Sequence, residues 1–247
     1  MTSTGDRLQQ VYDKLYREYG PQHWWPGEGP FEIIVSAILT QQTTWTNVEK
    51  ALANLREAGA LSPDGLWAIE ERDLARMLRP SGYFNAKARK LKAFADLLHE
   101  RFGGNLRAML ARPARELRTL LLATHGIGPE TADSILLYAA HRPVFVVDTY
   151  TRRLFSRLGI EPNSHKYDGW QTLFMESLPA DAQLFNDYHA LIVRHGKEVC
   201  RTAPRCGACP LAQVCATGQR VAADARSEPR AYPHREASMS AISESPL

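Results

Sequence analysis

The chain has 247 residues, 44% hydrophobic and 23% charged, an ordinary globular mixture with apolar material for one large or two modest domains. No apolar run approaches the ~20 residues of a membrane-spanning helix, and the polar start Met1–Asp6 has no apolar stretch behind it, against a secretory leader. The formal net charge of +3 suits a polyanionic partner without demanding one. A cytoplasmic protein with no membrane partner is predicted.

Helical periodicity dominates. Amphipathic helices are predicted around 5–18, 45–57, 71–78, 86–101 and 114–123. Phe31, Ile34, Val35, Ile38 and Leu39 fall on one helical face after Gly29-Pro30, and Ala132, Ile135, Leu136, Ala139 and Ala140 repeat that spacing. Leu154, Phe155 and Leu158 precede a stop at Gly159, and Leu184, Phe185, Tyr188, Leu191 and Ile192 mark a further helix. The four-residue run Val144–Val147 reads as an extended lead-in rather than a sheet strand. The fold class is all-α. From about Thr217 bulky apolar residues almost vanish, so 217–247 is predicted to be a disordered tail.

Three groups of residues carry chemistry. His125-Gly126-Ile127-Gly128 joins two helices, and its glycines permit a tight turn with bare N–H groups. With Pro129 at the next helix start, the turn suits one phosphate of a nucleic-acid backbone, although alone it could be a plain helix–helix connection. Asp148 ends the apolar run Val144–Val147 and opens a helix, which by itself describes an N-cap. Cys200, Cys206, Cys209 and Cys215 are the chain's four cysteines, spaced C-x5-C-x2-C-x5-C. Soft ligands so clustered bind structural zinc or an iron–sulfur cluster, and one central pair with two wider spacers fits the cluster better.

Taken together these segments resemble the helix–hairpin–helix DNA glycosylase superfamily, that of endonuclease III. Gly126-Ile127-Gly128, Thr131-Ala132 and Val147-Asp148-Thr149 match its hairpin and aspartate segments. Leu39-Thr40-Gln41-Gln42-Thr43 resembles the segment whose glutamine, here Gln42, enters the duplex near the target nucleotide. Gly82–Ala88 resembles another family loop, and His195-Gly196 precedes Cys200 as in the family's H-G-x-x-x-C, with the first cysteine spacer one residue shorter than the family's. The resemblance implies a [4Fe–4S] cluster on Cys200, Cys206, Cys209 and Cys215, catalysis by Asp148, and backbone binding by Gly126, Ile127, Gly128 and Thr131.

It also implies two helical lobes: a six-helix domain at 29–142 ending in the hairpin, and a cluster lobe combining 1–28 with 143–216. DNA would lie across the cleft between them. Strand-cleaving members carry a lysine two residues after the second hairpin glycine, where this chain has Glu130. A carboxylate forms no Schiff base, so the resemblance implies a monofunctional enzyme unless another lysine, such as Lys87, takes over. Trp24-Trp25-Pro26 and Trp45 resemble the flipped-base pocket of the 3-methyladenine glycosylases. The expected substrate is double-stranded DNA with an alkylated purine, bound by a nucleoid-associated monomer. The alternatives are an endonuclease III-type glycosylase and lyase on oxidised pyrimidines, or a DNA-binding paralogue that does not cut.

Overall fold

The computed structural model describes residues 2–227 and, among them, thirteen α-helices and no β-strand. In chain order they are α1 (Thr4–Tyr19), α2 (Pro30–Leu39), α3 (Trp45–Glu57), α4 (Pro63–Ala68), α5 (Glu71–Met77), α6 (Phe84–Phe102) and α7 (Leu106–Leu110). There follow α8 (Ala114–Leu122), α9 (Pro129–Ser134), α10 (Thr149–Leu158), α11 (Tyr167–Ser177), α12 (Ala182–Glu198) and α13 (Ala216–Ser227). The all-α architecture is the one the periodicity predicts, and Val144–Val147 is an extended connector.

Two apolar cores organise the helices. The first draws on buried residues from Ile34 to Val144, in α2–α9, the segments that join them and the stretch that follows α9. The second combines Leu8, Val11 and Leu15 of α1 with Phe145–Val147 and buried residues of α10, α11 and α12. Trp25 and Ile33 pack against both. The first lobe therefore contains eight helical segments rather than six. The additional α4 and α7 are single-turn pieces nucleated by caps, Ser62 Oγ accepting from Gly65 N and Asn105 Oδ1 from Ala108 N.

The helix begun by α9 does not continue regularly. Ile135–Ala139 forms a π-helical turn, whose wider winding shifts the facing of successive residues. Ile135, Leu136 and Ala139 enter the first core while Leu137 and Tyr138 enter the second. Asp133, fully buried, ties the lobes together at this crossing. It accepts from Arg118 Nε at 2.7 Å and, through its other oxygen, from Arg118 Nη2 at 3.0 Å and Gln171 Nε2 at 2.8 Å. Removing one partner of a buried pair costs about 3 kcal/mol or more. Asp133→Ala is expected to lower unfolding stability by that amount in a urea titration; a loss under 1 kcal/mol contradicts the account.

The predicted tail needs correction at its start. Ala216–Ser227 is helical, because its alanines favour helix and Gly218 is buried where a Cβ would meet the Ala212 carbonyl oxygen at 2.8 Å. Gly218 allows that close backbone approach, and α13 packs against α10. The remainder of the predicted tail, 228–247, lies outside the described residues.

Candidate active site

Asp148 takes its position from local geometry. It is the N-cap of α10, and its Oδ1 accepts hydrogen bonds from Thr151 N at 2.7 Å and Thr151 Oγ1 at 2.9 Å. The second oxygen, Oδ2, lies 3.7 Å from His189 Nε2, an electrostatic contact longer than a hydrogen bond. Burial alone would push this carboxyl up. The interaction with His189 and the two bonds from Thr151 outweigh it and hold the group below the ordinary aspartate value of 3.8.

Asp148 and His189 line a cavity of about 650 Å³ at the meeting of the two lobes. Trp24, Trp25 and Trp45 line it too, and the three indoles form one cluster with ring centroids 5.3–5.9 Å apart. Trp25 Nε1 donates to Ser36 Oγ at 2.8 Å and Trp45 Nε1 to Glu49 at 2.9 Å, which fixes both rings. Trp24 Nε1 is buried and makes no hydrogen bond. Pro26, expected on this wall, is exposed and outside it. The chain turns away at Gly27, where a Cβ would press on Ile33 at 3.2 Å.

Glu130 is on the cavity wall beside Asp148. Its side chain keeps solvent access. Even so, crowding by the walls and then the charge of Asp148 push its carboxyl above the ordinary value of 4.5, against the pull of His189 and Arg152. A raised carboxyl contributes stability below the unfolded value and loses it as pH rises through the folded value. Glu130→Gln should therefore melt higher than the wild type at pH 7, and the two curves should converge below about pH 4.5; a lower melting temperature at pH 7 refutes this sign. Lys87, the considered replacement for the lysine, is buried away from the cavity with Nζ on the Ser81 carbonyl at 2.6 Å. Its pKa is drawn down to about 8 by burial and then by Lys90. A different lysine, Lys197 of α12, does line the cavity.

The hairpin divides its predicted roles. Gly126 has φ +79° and uses glycine's freedom, whereas Gly128 is extended at φ −89° and a Cβ there would enter open space. Nothing inside the chain requires glycine at 128, so the bare surface faces outward. Ile127 is a core residue whose N–H is spent on the Thr124 carbonyl at 3.2 Å. Thr131 is buried and its Oγ1 accepts from Gln41 Nε2 at 2.9 Å. Gln41 also donates to the Gly126 carbonyl at 3.3 Å and accepts from Lys90. Thus Gln41, unnoticed in the sequence, ties the α2–α3 loop to the hairpin, while Gln42 stands exposed at φ +54° on the cavity wall.

The cysteine segment is anchored on α10. Arg153 donates to the carbonyls of Gly196 and Cys200, both at 2.9 Å, and Arg157 donates to Cys200 Sγ at 3.3 Å and to the Thr202 carbonyl at 2.8 Å. Gly196 is explained by Tyr150, whose ring a Cβ would meet at 2.4 Å. All four cysteines line one small, largely apolar cavity. Burial raises the thiols of Cys206 and Cys209, that of Cys209 to about 11, with the neighbouring cysteines adding to the shift. Thiolates there call for a positive centre to hold them. Among the described residues no group of three or more His, Cys, Asp or Glu is placed to hold a single metal ion. His195, buried behind them, lies with Nε2 3.6 Å from Cys209 Sγ and Nδ1 2.8 Å from Tyr19 Oη. Beside the large cavity, Arg153, Lys197, Arg201 and Arg205 line an open basic groove that shares Tyr150 and Lys197 with it.

The family profile described as "HhH-GPD superfamily base excision DNA repair protein" matches residues 35–180, more than half of the chain. The chain belongs to the HhH-GPD superfamily. Among this superfamily's relatives is the Methanocaldococcus jannaschii protein MJ1434, whose name proposes it as a DNA repair glycosylase; it is 42% identical over 211 residues, 85% of this chain and 96% of that one. A trapped endonuclease III–DNA covalent intermediate superposes with a TM-score of 0.76 at 22% identity, covering 90% of this chain and all of that one. The H. pylori 3-methyladenine DNA glycosylase MagIII, bound to 1,N6-ethenoadenine, superposes with a TM-score of 0.68 at 30% identity, covering 79% and 98%.

Proposed function

We propose that this HhH-GPD protein is a monofunctional DNA glycosylase that takes a damaged base out of duplex DNA and hydrolyses its N-glycosidic bond, with alkylated purines as substrates. One observation carries the reading: three indoles and Asp148 line the same cavity, and the lysine position on its wall is Glu130. The cavity falls in the range that encloses a small ligand, and electron-poor alkylated purines stack well on indole faces. Unstacking a base costs a few kcal/mol, which such stacking offsets in part. The name of the MagIII neighbour, a 3-methyladenine glycosylase, agrees with this substrate class.

Asp148 would stabilise positive charge at C1′ as the bond to the base breaks. Gly126 and Gly128 would receive a backbone phosphate, and the basic groove a further stretch of strand. Gln42 and Tyr83 are exposed non-glycine residues at φ +54° and +46° with no side-chain hydrogen bond among the described residues. Such strain on presented side chains suits residues that enter the duplex. The protein would act as a monomer.

A [4Fe–4S] cluster would be held by Cys200, Cys206, Cys209 and Cys215, with Arg153 and Arg157 keeping the loop in place. The cluster supplies a rigid cross-link for the basic loop. Cys206→Ser is expected to remove the visible absorbance of the purified protein, reduce bound iron and lower its melting temperature; a colourless, iron-free wild type with full activity contradicts the assignment.

Base release from methylated duplex DNA, with strands resolved before and after alkali, tests the function. Released methylpurine with breaks only after alkali supports it, and no release refutes the substrate class. Breaks before alkali favour a second reading, a glycosylase and lyase of the endonuclease III type, for which the amine of Lys197 on the cavity wall is the supporting observation.

A further inference from the structure

One buried nitrogen in the cavity wall without a hydrogen bond, His189 Nε2, faces the catalytic-site carboxylate. His189 is buried, and its Nε2 makes no hydrogen bond. Opposite it, at 3.7 Å, is Oδ2 of Asp148, the carboxylate oxygen that Thr151 leaves free. Buried polar atoms are almost always satisfied, so an orphan aimed at a reacting centre calls for a partner from outside the chain. The separation is too long for a direct hydrogen bond and short enough for one water, lying to the cavity side, to bond both atoms.

The other ring nitrogen determines which proton Nε2 carries. His189 Nδ1 lies 2.5 Å from Tyr138 Oη. Tyr138 is buried and its hydroxyl has no other hydrogen-bond partner among the described residues, so its proton is donated to Nδ1. In the neutral ring the remaining proton then sits on Nε2, pointing at the gap. Tyr138 holds this place because the π-helical turn carries it into the second core.

We propose that His189 is a second catalytic residue of the hydrolysis, seating the attacking water jointly with Asp148, and that Tyr138 is the positioning residue that sets its tautomer. The inference rests on the reading of Asp148 as the hydrolytic centre. Nε2–H donates to the water oxygen and the water donates one proton to Asp148 Oδ2. The remaining lone pair of the water points to C1′. As the water oxygen bonds to C1′, the C1′–N bond breaks and its electron pair goes to the base nitrogen. A cationic alkylated purine leaves neutral. The water's proton passes to Asp148 and then to solvent, so atoms and charge balance. No amine takes part in this sequence, which is why the lysine position is free to be Glu130.

The test uses the full chain and methylated duplex DNA in buffer containing methanol. Methanol capture at C1′ gives a methyl glycoside whose strand survives alkali, so released base without alkaline breaks counts the methanol product. A seated water keeps that share low in the wild type. His189→Ala is expected to slow base release about a hundred-fold and raise the methanol share several-fold, with duplex affinity unchanged. Tyr138→Phe retains the ring and its packing; about a tenfold slowing with a raised methanol share is expected. Should the alanine variant fail to fold, the phenylalanine variant decides. A wild-type methanol share in Tyr138→Phe, or in a folded His189→Ala, overturns the proposal. Full activity in Asp148→Asn would instead overturn the reading on which it rests.

Discussion

Asp148→Asn is expected to slow base release about a thousand-fold while leaving affinity for duplex DNA unchanged. The substitution is selective because asparagine caps a helix as well as aspartate does. Its amide oxygen can accept the two hydrogen bonds from Thr151 that hold α10, so the change falls on the charge at Oδ2. The wild-type carboxyl lies below 3.8, so its ionisation contributes stability above that pH, and this is lost as pH falls through the lower folded value. The acid limb of base release due to Asp148 should accordingly lie below pH 3.8. Single-turnover release across pH, with binding measured in parallel, checks both parts. Wild-type rates in the asparagine variant would remove Asp148 from the mechanism.

Glu130→Lys is expected to change the reaction rather than its rate. The new amine would enter the cavity wall beside Asp148, where burial favours its neutral, nucleophilic form and the carboxylate opposes that shift. Attack at C1′ and opening of the sugar give a Schiff base, which borohydride reduces to a stable protein–DNA adduct. We expect strand cleavage without alkali to rise at least about tenfold over wild type, with the adduct visible on a denaturing gel. If wild type forms the adduct equally well, an amine already present is acting, and Lys197→Ala should abolish it. If neither protein is trapped, the geometry at position 130 does not reach the sugar.

Much of this organisation was legible in the chain. The apolar spacing in α2, α10 and α12 predicts helices where they occur, and Gly159 ends α10 in the left-handed conformation. Four helices went unread, α7 among them, and the other three, α4, α11 and α13, share a cause. Each contains a glycine, a residue that weakens a helical signal, and each glycine is present for a close backbone approach. A Cβ would meet the Gly59 carbonyl oxygen at 2.2 Å from Gly65, that of Ser164 at 2.1 Å from Gly169, and that of Ala212 at 2.8 Å from Gly218. Those approaches, each to a carbonyl five or six residues earlier, belong to the turns leading into the helices and leave no mark in the apolar periodicity.

The site divides in the same way. Asp148, the tryptophans and Glu130 stand in motifs that can be read residue by residue. His189 sits in a helix whose apolar face already explained the segment, and only folding brings it to Asp148, forty-one residues earlier. Gln41 was overshadowed by Gln42 beside it, because the two differ in function only through the backbone: Gln42 adopts positive φ and remains exposed while Gln41 turns to the hairpin.

The second core is assembled from both ends of the described chain. Tyr188 of α12 donates its hydroxyl to the Leu8 carbonyl of α1 at 2.8 Å, across 180 residues. The first core is contiguous, spanning Ile34 to Val144, so it can close while later residues are still being made. Helix α1 has to wait. Its apolar face, Leu8, Val11 and Leu15, is fully covered only when α11 and α12 have both emerged, and the cysteines follow after that. On the proposed assignment of a cluster to these cysteines, iron would arrive at a chain already folded on one side, as the closing event of biogenesis. In a cell short of iron the species that accumulates would be half assembled, with its earliest helix exposed to proteases and chaperones.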